Sequence, residues 1–204
     1  MTAPASTRTR DPRQPVFVPL PPVPWDDLFL SPGQRWLMTF KEVMRSPGPF
    51  FGRVALDQPD GAGWIPLVGA LGTALVHGLI GTLLAVSSGS TISAPLVLLE
   101  LTLGMAFLVA LGMAFLGGMS FALGSSFGAR RIRSRSVLRL IAFASTPMLL
   151  GLLPIIGPLL GLAGVVRALV VALRVRGGLT RLEAGACLAV TLGILGLFPI
   201  VLLA

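Results

Sequence analysis

Three ionisable residues lie inside long apolar runs of this 204-residue chain: His77, Glu100 and Arg167. Ionisable side chains are costly inside a bilayer, so they are candidates either for a structural polar contact or for a proton or ion pathway. At ~1.5 Å per helical residue, His77 lies ~20 Å from Trp64 and Glu100 lies ~8 Å from Pro95. If the two runs form an antiparallel hairpin across a ~30 Å hydrocarbon layer, the two residues lie near one level. A contact between them is therefore predicted to be geometrically allowed.

Arg167 is the third ionisable residue of an apolar run, and its expected behaviour differs. It lies ~10 Å from Arg174 at the basic end of its run, within reach of a side chain that extends towards the interface. We therefore expect a snorkelling arginine rather than a partner for Glu100. The sequence has one histidine, one cysteine (Cys187) and no paired carboxylates at one level. These features predict no enzyme, no metal site and no cofactor.

The composition indicates that membrane-spanning helices position these residues. Hydrophobic residues make up 54% of the chain and charged residues 12%, whereas soluble chains carry about 25% charged residues. The charges lie in short clusters between long apolar runs, as in polytopic membrane proteins. We predict an all-α, polytopic transmembrane helical bundle over residues 64–204 with about five spans: 64–86, 95–123, 137–153, 159–173 and 183–204.

The third and fourth spans are short, and Pro147 is predicted to kink the third. One alternative is that these two spans form a single helical hairpin that inserts only partly. Basic residues occur in the tail and in the loops 124–136 and 174–182, and no other connection carries any. This alternation predicts five spans, a cytoplasmic N-terminus and a C-terminus on the opposite side. Four arginines of the first basic loop are predicted to meet anionic lipid headgroups: Arg130, Arg131, Arg133 and Arg135. No nucleic-acid partner is expected.

Two segments precede the bundle. Residues 1–30 are polar and proline-rich, and they are predicted to form a disordered cytoplasmic tail that contacts a protein partner. Residues 31–63 are predicted to be an interfacial segment, with Ser31 capping a short amphipathic helix that has Pro32 at its first position. That helix lies on the membrane surface or, alternatively, packs on the protein's own cytoplasmic loops. Five aromatic residues are predicted to anchor it and the first span at the interface: Trp36, Phe40, Phe50, Phe51 and Trp64.

Small residues recur at every fourth position of the second span: Ala106, Ala110, Ala114, Gly118 and Ala122. Helices in lipid associate through small residues that let their backbones approach. We predict a helix-packing ridge along these positions. Alternatively, these small residues line a narrow pathway. Association of the chain into a homo-oligomer is also left open.

Two stretches resemble a known family. They are WLMTFKEVMRSPGPFF (residues 36–51) and LRLIAFASTPMLLGLLPIIGPLLGLAGVVRALVVALRVRGGLTRLEAGA (residues 138–186). They resemble the Yip family, the Ypt/Rab-interacting polytopic membrane proteins, in particular its bacterial members. The resemblance implies a five-span bundle with a cytoplasmic tail in a bacterial cytoplasmic membrane. It does not extend to the acidic-aromatic Gly-Pro motif of eukaryotic members, so small-GTPase binding is not carried over.

The function predicted from these observations is non-enzymatic organisation of the membrane or of partner proteins, in a scaffold, trafficking or membrane-shaping role. Two alternatives stay open. One is a small transporter or channel that uses a polar seam between the first two spans. The other is a subunit of a larger membrane complex.

Overall fold

A computed structural model describes residues 21–56, 65–89, 94–129, 133–153 and 156–203. Within these ranges the protein is all-α, as predicted. Among the predicted site residues, Trp64, Arg130 and Arg131 lie outside the described residues, and so does the side chain of Glu100. The roles predicted for these residues therefore stay predictions.

The N-terminal elements are a 3₁₀ helix (Pro24–Asp26), α1 (Pro32–Arg45) and α2 (Pro47–Arg53). The start of α1 is a capping box: the Ser31 hydroxyl accepts from the Gln34 amide at 3.4 Å, and the Gln34 side chain accepts from the Ser31 amide at 3.0 Å. These two bonds satisfy amide donors that a helix start otherwise leaves without partners. The predicted cap at Ser31, with proline at the first helical position, is confirmed.

The first hairpin is formed by α3 (Ile65–Ser87) and α4 (Ala94–Ser126). At ~1.5 Å per residue, α3 is ~35 Å long and α4 is ~50 Å long. The two helices pack closely at Gly78, where an added Cβ would lie 2.5 Å from the Thr102 hydroxyl oxygen. Glycine is required there because any side chain would separate the two backbones.

The third predicted span consists of two elements, α5 (Ser134–Ala144) and a second 3₁₀ helix (Thr146–Leu152). Pro147 has no amide hydrogen and clashes with the preceding turn of an α-helix, so the α-helical bonding stops there. The predicted interruption at Pro147 is confirmed. The chain then reverses into α6 (Gly157–Gly177), which ends at Gly178 with φ = 74°. A left-handed residue of this kind is a common end of a helix, and it favours glycine.

The last helix is α7 (Arg181–Leu203). Four described segments are long and apolar enough to cross a membrane: Val68–Ser87, Thr102–Ser126, Arg135–Leu152 and Gly157–Gly177. Helix α7 has 23 residues, or ~35 Å, which is long enough to cross as well. The side chains of its last residues lie outside the description, so the fifth span stays a prediction.

Helix α4 is the central helix of the bundle, and its two halves have different neighbours. Its first half packs on α3 at Thr102. Its second half meets α5 where Gly117 lies against Ile141, and α7 where the Ser120 hydroxyl lies 3.4 Å from that of Thr191. The buried core is formed mainly by α5 and α6, and the second half of α4 adds Met113, Leu116 and Phe121 to it.

Part of the N-terminal region belongs to this core, in contrast to two expectations from the sequence. Phe50 and Phe51 are both 0% exposed, and Phe50 makes edge contacts at 5.3 Å with the rings of Phe51 and Phe143. They are core residues and do not anchor at the interface, because α2 directs both rings into the bundle. Residues 21–30, which the sequence assigns to a disordered tail, include Val23 and Pro24 in buried positions.

Candidate functional site

Residues 21–56 form a folded unit on the bundle, which we call the headpiece: the first 3₁₀ helix, α1 and α2. A buried ion pair attaches its first element. The Arg139 guanidinium donates through Nη2 to both Asp26 carboxylate oxygens, at 2.5 and 2.7 Å. The side chains are 1% and 12% exposed, respectively, and Arg139 also lies 5.4 Å from the centre of the Phe143 ring. A pair this well shielded from water stabilises the docked position only while both charges are present.

A second arginine attaches the end of α2. Arg176, in the last turn of α6, donates to the carbonyl oxygens of Phe51 at 2.6 Å and Gly52 at 3.1 Å, and also to that of Val54. The last carbonyls of a helix have no partner within the helix, and a guanidinium supplies several donors in a planar arrangement. Arg176 therefore caps α2 from another part of the chain.

Arg167 also contacts the headpiece. Its Nη1 donates to the Met44 carbonyl oxygen near the end of α1, at 3.1 Å. The exposed guanidinium thus extends away from the apolar part of α6 and towards an N-terminal element. The predicted snorkelling towards lipid headgroups stays a prediction.

Between the first 3₁₀ helix and α1, a short loop presents two exposed apolar side chains, which we call the apolar tip: Leu28 and Phe29. They are 82% and 99% exposed. The Asp27 carboxylate accepts from the Phe29 amide at 2.9 Å, and Arg35 donates to the Leu30 carbonyl at 2.9 Å and to that of Leu28 at 3.3 Å. The tip is therefore held by polar contacts on its backbone while its side chains make little contact with the protein.

An apolar groove lies between α1 and the bundle. Gly33, Trp36, Leu37 and Phe40 line it on the α1 side, and Val68 and the leucines of the second 3₁₀ helix line it opposite. Its volume is about 620 Å³. This is within the ~300–1,000 Å³ typical of small-molecule sites. Helix α1 thus rests on the protein's own chain through Thr39 and Val43, and its position on the membrane surface stays a prediction.

The polar seam between the first spans is defined here by Thr73, His77 and Thr102. His77 Nδ1 donates to the Thr73 carbonyl oxygen of its own helix at 2.8 Å. Because a carbonyl only accepts, Nδ1 carries a proton in this contact. The Thr73 hydroxyl donates in turn to the Met148 carbonyl at 3.2 Å.

The register of the hairpin also bears on Glu100. Thr102 lies against Gly78, so the backbone of Glu100, two residues earlier, lies within roughly 5 Å of the level of His77 along the helix axes. The predicted common level is therefore supported by the backbone. The predicted contact itself depends on the Glu100 side chain and stays a prediction.

The predicted small-residue ridge does not form one continuous buried face. Ala106 is buried and Ala110 is half-buried, whereas Ala114 and Ala122 are exposed. With 3.6 residues per turn, each step of four residues rotates ~40° around the helix, so four steps rotate ~160°. The second half of α4 instead buries Gly117, Ser120, Phe121 and Gly124.

The remaining predicted residues lie around the headpiece or in loops. Trp36 and Phe40 are half-buried, and Trp36 makes an edge contact with Trp25 at 5.5 Å. Arg133 and Arg135 are exposed at the start of α5, where they are free to meet lipid headgroups as proposed from the sequence.

The sequence reasoning passed over Asp26, Arg139 and Arg176. Arg139 carried a usable signal, because it stands in the apolar run LRLIAF within the predicted third span. A charge in such a position needs a partner. Asp26 carried a weaker signal: it stands in the apolar and aromatic stretch VPWDDLFL (residues 23–30), and nothing in that stretch indicates a partner 113 residues away.

Comparison with protein-family models matches residues 41–203 to the Yip1 domain. This range covers 163 of the 204 residues, including every helix from α2 to α7. No curated protein matches the chain, and no solved structure does.

Proposed function

Since this chain belongs to the Yip1 domain family and is a multi-pass membrane protein, we propose that it is a non-enzymatic scaffold that organises partner proteins at its membrane. The observation that carries the proposal is the docked headpiece with its rigid apolar tip. The protein holds this unit through Asp26 and Arg176 and leaves Leu28 and Phe29 exposed. Exposed apolar and aromatic side chains on a fixed backbone are suited to protein recognition.

The proposal includes a location. The headpiece lies on the cytoplasmic side of a bacterial cytoplasmic membrane, and residues 1–30 extend the recognition surface. Arginine-rich connections at one end of the bundle support this orientation. Arg133 and Arg135 near the start of α5 are exposed at that end.

Photo-crosslinking in intact membranes tests the partner role. A photoreactive residue at Phe29 is expected to give a discrete protein adduct, because the side chain is fully accessible. The matched control is the same residue at Leu182, which is 86% exposed at the start of α7. Equal adducts at both positions, or lipid adducts alone at Phe29, would count against a protein partner at the tip.

A second candidate function is a small transporter or channel along the polar seam. The observation that favours it is the hydroxyl of Thr102, which is buried and makes no hydrogen bond with any described residue. It lies beside Gly78, next to His77. Liposome flux measurements with Glu100→Ala test this function, and flux that does not change would weigh against it.

A further inference from the structure

We propose that the apolar groove beside α1 binds one acyl chain of an anionic phospholipid, whose phosphate is met by Lys41. This inference goes beyond the scaffold role, because it assigns a ligand to a different surface from the apolar tip. It starts from the walls of the groove. Trp36 and Phe40 face Val68 and the leucines of the second 3₁₀ helix across a volume of about 620 Å³.

The position of the groove indicates the source of the ligand. Val68 lies near the start of α3, within the first membrane-capable segment, so the groove lies beside the beginning of the first span. Apolar surface is stabilised when it is removed from water, by ~25 cal/mol per Å². An acyl chain from the adjoining leaflet has matching chemistry and the shortest path to the groove.

The charges around the groove indicate which phospholipid binds. Lys41 is exposed and lies one helical turn after Leu37, a residue of the groove wall. Residues four apart are neighbours on a helix surface, so an ammonium group stands beside the groove. The acid of the same stretch, Glu42, is paired with Arg53 at 2.5 Å. The surface therefore offers positive charge, which favours an anionic headgroup.

A substitution that fills the groove tests the proposal without removing any contact. No atom lies within 4 Å of a Cβ added at Gly33, which lines the groove near the start of α1. Gly33→Leu should place a side chain in the groove while the helix gains propensity. Gly104→Leu is the matched control, because Gly104 lies in α4 and also has open space at its Cβ position.

The full chain is first placed in nanodiscs that contain equal amounts of phosphatidylglycerol and phosphatidylcholine. It is then extracted and purified in mild detergent. Native mass spectrometry then counts the phospholipids that stay bound. The parent protein and Gly104→Leu are expected to retain one phospholipid, with phosphatidylglycerol preferred several-fold. Gly33→Leu is expected to lower retention at least tenfold, and Lys41→Gln to remove the preference while binding persists.

Three outcomes would overturn the proposal. They are equal retention by the parent protein and Gly33→Leu, the absence of retained lipid in the parent protein, and a retained peptide in place of a lipid. If Gly33→Leu does not fold, Leu37→Trp provides a second filling variant at an exposed wall position. Because the crosslinking test probes Phe29, failure of the lipid site and failure of the scaffold role are distinguishable.

Discussion

Replacing Asp26 by alanine should release the first part of the headpiece from the bundle. The substitution leaves the Arg139 guanidinium, which is 1% exposed, without the carboxylate that contacts it at 2.5 and 2.7 Å. Removing one partner of a buried ion pair costs about 3–5 kcal/mol. Since 1.4 kcal/mol corresponds to a factor of ten, the opening equilibrium of residues 21–30 should rise roughly a hundred- to several-thousand-fold.

The adjacent Asp27 provides a control with the same change in charge. Its carboxylate accepts one hydrogen bond, from the Phe29 amide at 2.9 Å, and that bond is exposed. The loss of such a bond costs about 0.5–1.5 kcal/mol, so Asp27→Ala should raise opening by about tenfold at most. The two variants thus separate the buried pair from a general effect of removing a negative charge.

Hydrogen exchange of the amides of residues 23–30, measured on the full chain in detergent, gives the opening free energy directly. A third variant combines Asp26→Ala with Arg139→Met, which removes both charges and refills the arginine volume. It should be more stable than Asp26→Ala alone, because both charges of the buried pair are removed together. Equal effects of Asp26→Ala and Asp27→Ala, or additive effects in the double variant, would refute the assignment of the pair as the attachment of the headpiece.

Three further predictions concern the bundle. Gly157→Ala should lower thermal stability by several degrees in detergent, because the new Cβ meets the Leu150 carbonyl oxygen and the Leu153 side chain in the tight turn; an unchanged melting temperature would contradict this. In a double-alanine cycle on His77 and Glu100, a contact predicts non-additive melting temperatures, and additive effects would exclude it. A maleimide that does not cross the membrane should react with Ser88→Cys when it is added outside the cell. It should react with Ile156→Cys from outside only if the third and fourth spans cross the membrane fully.

The spans were predictable from the sequence because the bilayer imposes a length and excludes charge. The predicted first span, 64–86, corresponds to α3 (Ile65–Ser87), and Pro147 interrupts the third span as expected. Apolar length and proline chemistry are local properties, so one sequence suffices to recognise them. The capping box at Ser31 was predictable for the same reason.

The headpiece was not predictable because its stabilising contacts are distant in the chain. Asp26 and Arg139 are 113 residues apart, and Arg176 meets Phe51 across 125 residues. Phenylalanine side chains such as those of Phe50 and Phe51 suit either an interfacial anchor or a protein core. The contact of Phe50 with Phe143 shows that here they belong to the core. The positions from Ala106 to Ala122 do not share one buried face, because a repeat of four residues drifts around a helix of 3.6 residues per turn. Their role as a packing ridge stays a prediction.

The contacts between the second 3₁₀ helix and α3 bear on whether the short third and fourth spans cross the membrane fully. The second 3₁₀ helix contacts α3 near the start of α3: Met148 lies against Gly69, and Leu152 lies against Gly72. Gly72 is only ~10 Å from Ile65, the first residue of α3. If α3 crosses a ~30 Å layer, the turn that follows Leu152 therefore reaches about the first third or half of it. This register favours the partly inserted hairpin. It also accounts for the ~50 Å length of α4, whose second half extends past Ile65, the first residue of α3, and packs on α5 at Ile141.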